Sequence, residues 1–355
     1  MFIDALLAEI NEKSSFFKGD STEQEGEKVE TIYIGGGTPS LLTPFQLEKI
    51  IAALGKAFFL ENRPHVKEFT IEVNPDDTNI QYYKDLMSLG INRISIGMQS
   101  FCDDELRWMN RRHNSSEAIR SFYDAREAGF KNISADLIFG IGLDEGENWM
   151  KNLKIIRELR PEHISAYQLG IENGTKLDRM VKRGDYSAAE QEFSLMQYSL
   201  LQSSLSEAGY NQYEVSSFCL ENFRSIHNSS YWNHTPYLGL GPSAHSYSKG
   251  VRSWNRRSVT GYIQAKKNGT SFSSEEILSK KDIFNEKIML SLRRAEGLLI
   301  SDLDSGTESD YMQDFLKNAS VLIDNGSLVK DGERITISPC KLFVSDGIIR
   351  ELFIP

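Results

Sequence analysis

Cysteine is scarce in this chain: three residues in 355, at Cys102, Cys219 and Cys340, each more than 100 residues from the next. An odd, widely spaced set excludes a disulfide framework and the short ligand spacing of a zinc site, so the three read as reduced structural thiols. Long apolar runs are lacking too. None approaches the roughly 20 residues that cross a bilayer. The opening MFIDALLAEI carries acids where a signal peptide carries bases, so a cytoplasmic protein without a membrane span is expected. Positive charge is short: 40 Lys and Arg stand against 50 Asp and Glu, a formal net charge of −10. That balance repels phosphates at long range and argues against a nucleic-acid partner. Hydrophobic residues at 40% and charged residues at 25% exclude disordered, collagenous and coiled-coil classes.

What is present is a repeating unit. VETIYI from Val29 reads as a strand, followed by a helix over Pro44–Phe58. KEFTIEV then precedes a helix over Asn79–Leu89, INRISIGMQ a helix over Ser115–Ala128, NISADLIFG a helix over Glu147–Leu159, and HISAYQLG a helix over Ala188–Ala208. NQYEVSSF closes the series as a last strand. Three helix-to-strand joints place glycine just past the helix, at Gly90, Gly129 and Gly209, where the left-handed conformation ends it. Strands alternating with such helices imply parallel β-α units, and their Ile, Val and Tyr content suits strands covered on both faces. Polar residues at successive strand ends (Gly35–Gly37, Glu72 and Asn74, Gln99, Asp136, Gln168, Glu214) favour a barrel with its working groups around one mouth.

The beginning departs from this grammar. Phe2, Ile3, Leu6, Leu7 and Ile10 form a helical stripe with no cap before it, and a strand is expected upstream of Met1. Ser14–Lys28 is polar and glycine-punctuated, a connection. Residues 1–215 are expected to form the barrel, 216–280 a loop-rich segment covering its mouth, and 281–355 a small α+β module ending in a hairpin and helix, in the style of a winged helix.

The sharpest motif is GGGTPS, Gly35–Ser40, directly after a strand. Consecutive glycines adopt positive φ and let a ligand approach the backbone, though the same run also serves as a tight turn with Thr38 or Ser40 capping a helix. No Gly-Lys-Ser/Thr follows, so it is not a Walker loop. Glu72 at a strand end can accept charge-assisted hydrogen bonds from an ammonium group, or cap the next turn. Asp136 lies within an apolar strand, where a carboxylate needs either a function or an ion pair to Arg93 or Arg111.

GGGTPS, IEVNP, NRISIGMQSF with Arg111 twelve residues after Gln99, and ADLIFG together resemble the SAM-binding sequence of radical S-adenosylmethionine (SAM) barrels. YNQYEVSSF, HNSSYW, YLGLGPSAHS and NEKIMLSLRR resemble the oxygen-independent coproporphyrinogen III oxidase and heme-chaperone family, and HN-x-x-YW is typical of its heme-chaperone branch. The resemblance spans Met1 to Pro355. It implies an α/β fold, an incomplete (β/α)6 radical-SAM-type barrel lacking its first strand, with a coproporphyrinogen-oxidase-like C-terminal module. It implies that Gly36, Gly37 and Thr38 contact the methionine moiety of SAM, that Glu72, Gln99, Arg111 and Asp136 contact the rest, and that Gly170 lines the adenine side. It also implies a 4Fe–4S cluster held by a C-x-x-x-C-x-x-C loop, which this sequence does not contain. A coding start placed downstream of the true one and a lost cluster are the two readings of that departure. Gly140-Ile141-Gly142 replaces the family's Gly-Leu-Pro, which is expected to loosen that turn.

By the same resemblance His227 is a heme-binding residue, since a neutral imidazole suits heme iron; a structural hydrogen bonder is the alternative for it and for His245. Tyr231 and Trp232 read as packing residues. The expected function is SAM-binding, radical-type work in tetrapyrrole metabolism: oxidation of coproporphyrinogen III, or carriage of heme to an acceptor protein, toward which HN-x-x-YW tilts. Whether the chain as given is an enzyme stays open. A non-catalytic heme or SAM binder, and a sugar-phosphate barrel enzyme cradling phosphate in GGGTPS, are the rival readings.

Overall fold

A computed structural model describes residues 1–17, 28–58, 66–304 and 309–355. The connection expected over 14–28 lies mostly outside them. The first helix, α1 (Phe2–Glu12), starts without a side-chain cap at Met1. The main sheet contains β1 (Thr31–Ile34), β2 (Glu68–Val73), β3 (Arg93–Gln99), β4 (Ile133–Phe139), β5 (His163–Gln168), β6 (Asn211–Glu214) and β7 (Ser217–Cys219). Their spatial order is β1-β2-β3-β4-β5-β7-β6, a seven-stranded sheet curled into a half-barrel. Between strands lie α2 (Pro44–Ala57), α3 (Ile80–Ser88), α4 (Asp103–Trp108), α5 (Ser115–Ala128), α6 (Glu147–Leu159), α7 (Lys176–Arg183) and α8 (Gln191–Glu207).

Local chemistry sets these boundaries. Asn114 and Glu117 form a reciprocal capping box at the start of α5, and Gly129 at φ 113° ends it. Thr43 and Gln46 do the same for α2. Gly90 and Gly209 also have positive φ, as their joints require. Strands β2 to β5 run parallel. The α/β class and the open barrel are as the sequence predicts.

Two expectations change. NQYEVSSF is a hairpin: β7 runs antiparallel to both β5 and β6, with a register shift at Gln212/Glu214. The strands also have unlike faces. Facing one way are Glu72, Ser95, Ser134 and His163, partners in adjacent strands, and the next row carries Asp136 beside Ser165. Facing the other way are Ile71, Ile94, Ile96, Met98, Ala135, Leu137 and Ile164, all buried. Period-two alternation is the rule for a sheet with one apolar and one polar surface, so the polar row is built into the strands rather than confined to their ends.

The chain divides into two compact units. One comprises 33–41 and 70–225 and holds most of the half-barrel. The other comprises 1–32, 42–69 and 226–355. In the latter, Ile10 of α1 packs with Ile50 and Ala57 of α2 and with Leu240. Residues 216–280, expected as loop-rich, carry β7, α9 (Ile226–Tyr231), the antiparallel strands β8 (His245–Ser248), β9 (Val251–Asn255) and β10 (Ser273–Ile277), and α10 (Val259–Asn268). Their Tyr, Ser and Trp content shows no helical period and pairs as sheet instead. The C-terminal module has α11 (Lys280–Leu292), β11 (Leu298–Leu299), α12 (Ile300–Asp304), α13 (Ser309–Asp324), the hairpin β12 (Leu328–Asp331) and β13 (Arg334–Ile337), and α14 (Ser345–Glu351), around a core including Ile288, Phe315 and Leu352.

Candidate functional site

The loop after β1 is shaped by Glu72. One carboxylate oxygen accepts the Tyr33 hydroxyl at 2.8 Å and the other accepts the Gly36 N–H at 3.0 Å. A side chain at Gly35 would lie 2.5 Å from Tyr33 Cε1 and 2.8 Å from Glu72 Oε1, so only glycine fits there. Gly36 and Gly37 have φ of 79° and 66° with nothing within 4 Å of a would-be Cβ. Their need for glycine comes from the backbone conformation, and the space beside them is open. Thr38 starts the turn that follows, its carbonyl accepting from Leu41 N–H. Ser40 ties that turn to β2: its hydroxyl donates to Asp77 and accepts the Asn74 N–H.

A second convergence surrounds Gly97 of β3. A Cβ there would meet Gln99 Nε2 at 3.0 Å, Arg111 Nη2 at 3.4 Å and Asn74 Oδ1 at 3.5 Å. Arg111 Nη2 donates to Asn74 Oδ1 at 2.7 Å and to the Gly97 carbonyl at 3.2 Å. Burial draws the Arg111 pKa below its ordinary value. Gln99 itself has φ 65°, and Ser100 N–H bonds to the Met98 carbonyl across it, the strained form of a γ-turn. Beneath the turn, Asn152 of α6 accepts the Phe101 N–H at 2.6 Å, and the Ser100 hydroxyl donates to Glu105, whose pKa burial raises. This buried network holds the turn against its strain, a cost of order 1–3 kcal/mol at such sites.

Asp136 lies mid-strand in β4 rather than at its end. Ser95 donates its hydroxyl toward both carboxylate oxygens, at 3.0 and 3.1 Å. Burial pushes the Asp136 pKa up to about 6; the Ser95 hydroxyl opposes the shift, Glu72 adds to it by repulsion, and the Arg93 charge and the Ser165 hydroxyl oppose it. No ion pair to Arg93 or Arg111 accompanies it among the described residues. Gly170 follows β5 in an exposed position, its nearest would-be contact Glu172 at 3.8 Å. The turn at Gly140-Ile141-Gly142, expected to be loose, is tied: Gly140 N–H donates to Gln197 and Tyr186 OH donates to the Ile141 carbonyl.

His227, in the other unit, belongs to a different setting. Its Nδ1 lies 2.8 Å from Thr31 Oγ1 and its Nε2 3.0 Å from Tyr231 OH. Its own N–H, with that of Ile226, donates to the buried Glu68 carboxylate, which caps the start of α9. Gly36, Gly37, Thr38, Glu72, Gln99, Arg111 and Asp136 thus share one unit and one sheet, and His227 lies outside it. Tyr33, Ser95 and Gly97 were missed by sequence reasoning. The alternation Arg93, Ser95, Gly97, Gln99 in RISIGMQ was the available signal.

A parallel half-barrel opening on a glycine loop is the framework of radical SAM proteins, and the Radical SAM superfamily profile matches residues 22–159. The HemN C-terminal domain profile matches residues 278–339. Heme chaperone HemW of Lactococcus lactis is 33% identical over 333 residues, covering 94% of this chain and 85% of that protein. Heme chaperone HemW of Bacillus subtilis is 34% identical over 272 residues, covering 76% and 71%. The structure of Escherichia coli coproporphyrinogen III oxidase, HemN, described as a radical SAM enzyme, superposes with a TM-score of 0.82 at 22% identity, covering 99% of this chain and 82% of that one. The chain belongs to the radical SAM superfamily, in the branch that contains HemN and the heme chaperone HemW.

That family implies SAM and a 4Fe–4S cluster. SAM fits the residues present: an open glycine loop with free approach to its backbone, two carboxylates for a cationic ligand and one guanidinium for a carboxylate. The chain's cysteines do not fit a cluster. Cys102 is buried, its thiol pushed up to about 11 by burial; Cys219 is buried in β7; Cys340 is exposed. Among the described residues no group of three His, Cys, Asp or Glu is placed to hold a metal.

Proposed function

We propose that this protein binds SAM on the polar face of its half-barrel and carries heme to an acceptor protein in the cytoplasm. The observation that carries the first part is the open Gly36-Gly37 backbone buttressed by Glu72. Gly36, Gly37 and Thr38 receive the methionine end, with Arg111 opposite its carboxylate and Glu72 and Asp136 supplying negative charge for its ammonium and sulfonium. Gln99 and Gly170 bound the remainder. What these residues do is bind SAM, orient it and exclude water. The names of the HemW relatives and the HemN-type C-terminal module support the heme part.

Calorimetric titration with SAM tests the first part. Glu72→Ala should weaken binding about ten- to hundredfold, the worth of roughly 1.5–3 kcal/mol for a charged hydrogen-bonding group. Equal affinity in both proteins removes SAM from this loop. Titration with ferric heme, followed by its absorbance, tests the second part, and no saturable binding overturns it.

A further inference from the structure

Among the polar atoms of the described residues that are buried with no hydrogen-bond partner are three from the unit containing 226–355, Trp232 Nε1, His234 Nε2 and Arg293 Nε, alongside others. The three belong to one neighbourhood. The Arg293 guanidinium lies 5.5 Å from the centroid of the Trp232 ring. Asn233, between Trp232 and His234, accepts from Arg294. The His234 ring lies 5.8 Å from that of Tyr247, which neighbours Tyr237 at 6.3 Å. An orphaned buried polar atom is costly to a fold, so three together mark a place that a ligand completes. Burial, then the charges of Lys287, Arg252 and Arg294, depress the His234 pKa, which keeps its imidazole neutral. The neighbourhood therefore offers a neutral nitrogen, flat aromatic walls, an indole donor and arginine N–H groups, with Arg252 also paired to Glu286 and Arg293 to Asp346. A planar metal complex bearing carboxylates matches all four.

We infer that His234, rather than His227, ligates the iron of the heme assigned under the proposed function, with Trp232 and Arg293 donating to its propionates. The inference rests on that heme reading. His227 is unsuited because both of its ring nitrogens are engaged, by Thr31 and by Tyr231, and binding iron would break one of these bonds. His234 gives up nothing at Nε2. It also sits at φ 52°, a left-handed position that Asn and Gly tolerate, which supplies variants compatible with the fold.

The whole protein is titrated with ferric heme and its absorbance and electron paramagnetic resonance spectra recorded. His234→Asn should weaken heme at least tenfold and remove the signature of nitrogen ligation, whereas His227→Ala should retain both. His234→Gly should recover the signature on adding imidazole, which a merely structural role does not explain. Iron-free protoporphyrin IX, which has no metal to ligate, should bind His234→Asn as well as wild type but lose several-fold with Trp232→Phe. If wild type binds no heme, the heme reading itself fails. If wild type binds heme and His234→Asn keeps its spectrum, only this assignment is overturned.

Discussion

Two carboxylates, one in each unit, are treated oppositely. Glu9 on α1 is 1% exposed and takes the Gly241 N–H, the Asn255 amide and the Tyr262 hydroxyl, each at 2.7 Å, with Lys266 at 3.6 Å. Asp136 has only the Ser95 and Ser165 hydroxyls to draw on among the described residues, and its charged form is disfavoured. A carboxylate saturated with donors holds a fold together. One left short of them is held ready for a cation or donor from outside, and the fold bears the cost.

The largest expected effect breaks the saturated site. Glu9→Ala strands three donors and should lower the unfolding free energy by about 3–5 kcal/mol in a urea titration, as removal of one member of a buried polar network does. A loss under about 1 kcal/mol would erase the distinction between the two acids. Asp136→Asn should act in the opposite direction. The folded pKa of about 6 lies above the ordinary 3.8, so the folded state holds its proton more tightly. Stability is therefore greatest below about pH 4, falls as pH rises from 4 to 6, and stays reduced above. The two-unit difference corresponds to about 3 kcal/mol at 1.36 per unit, an order-of-magnitude ceiling. The variant should melt higher than wild type at pH 7, with the gap closing at pH 4, and should bind SAM more weakly. A pH-independent gap would assign the effect to packing instead.

Gly35→Ala comes next, because its Cβ meets the Tyr33 ring and the Glu72 carboxylate. Overpacking of this kind costs about 1–3 kcal/mol, and SAM affinity should fall by tenfold or more in calorimetry. The smallest effect is Gly97→Ala. Its closest contact is the far end of the Gln99 side chain, which can swing aside, so affinity should drop only a few-fold with stability within about 0.5 kcal/mol. Equal losses from the two glycines would mean that the loop and the Gly97 convergence are one rigid site.

Much of this architecture was legible because its signals are local. The glycine at 129 made the end of α5 readable, and the apolar period gave α6 over Glu147–Leu159. The helices α4 and α7 were missed because they are short and polar, and the hairpin β6–β7 because Val215 and Ser216 carry no turn signature. The site divided the same way. GGGTPS announces itself through composition, whereas Ser95 and Gly97 acquire meaning only when β2, β3 and β4 lie side by side. His234 was passed over because neighbouring residues cannot reveal which nitrogen lacks a partner.

The Glu9 anchor also orders events in time. Its helix is made early, yet Tyr262 follows it by 253 positions. At roughly 5–20 residues per second, ribosomes reach that partner on the order of ten seconds to a minute later. Until then the apolar stripe of α1 has α2 to rest on but no lock. A helix made early is thus fastened late, and a nascent-chain binding factor would find Phe2, whose ring meets that of Tyr262, open to it throughout that interval.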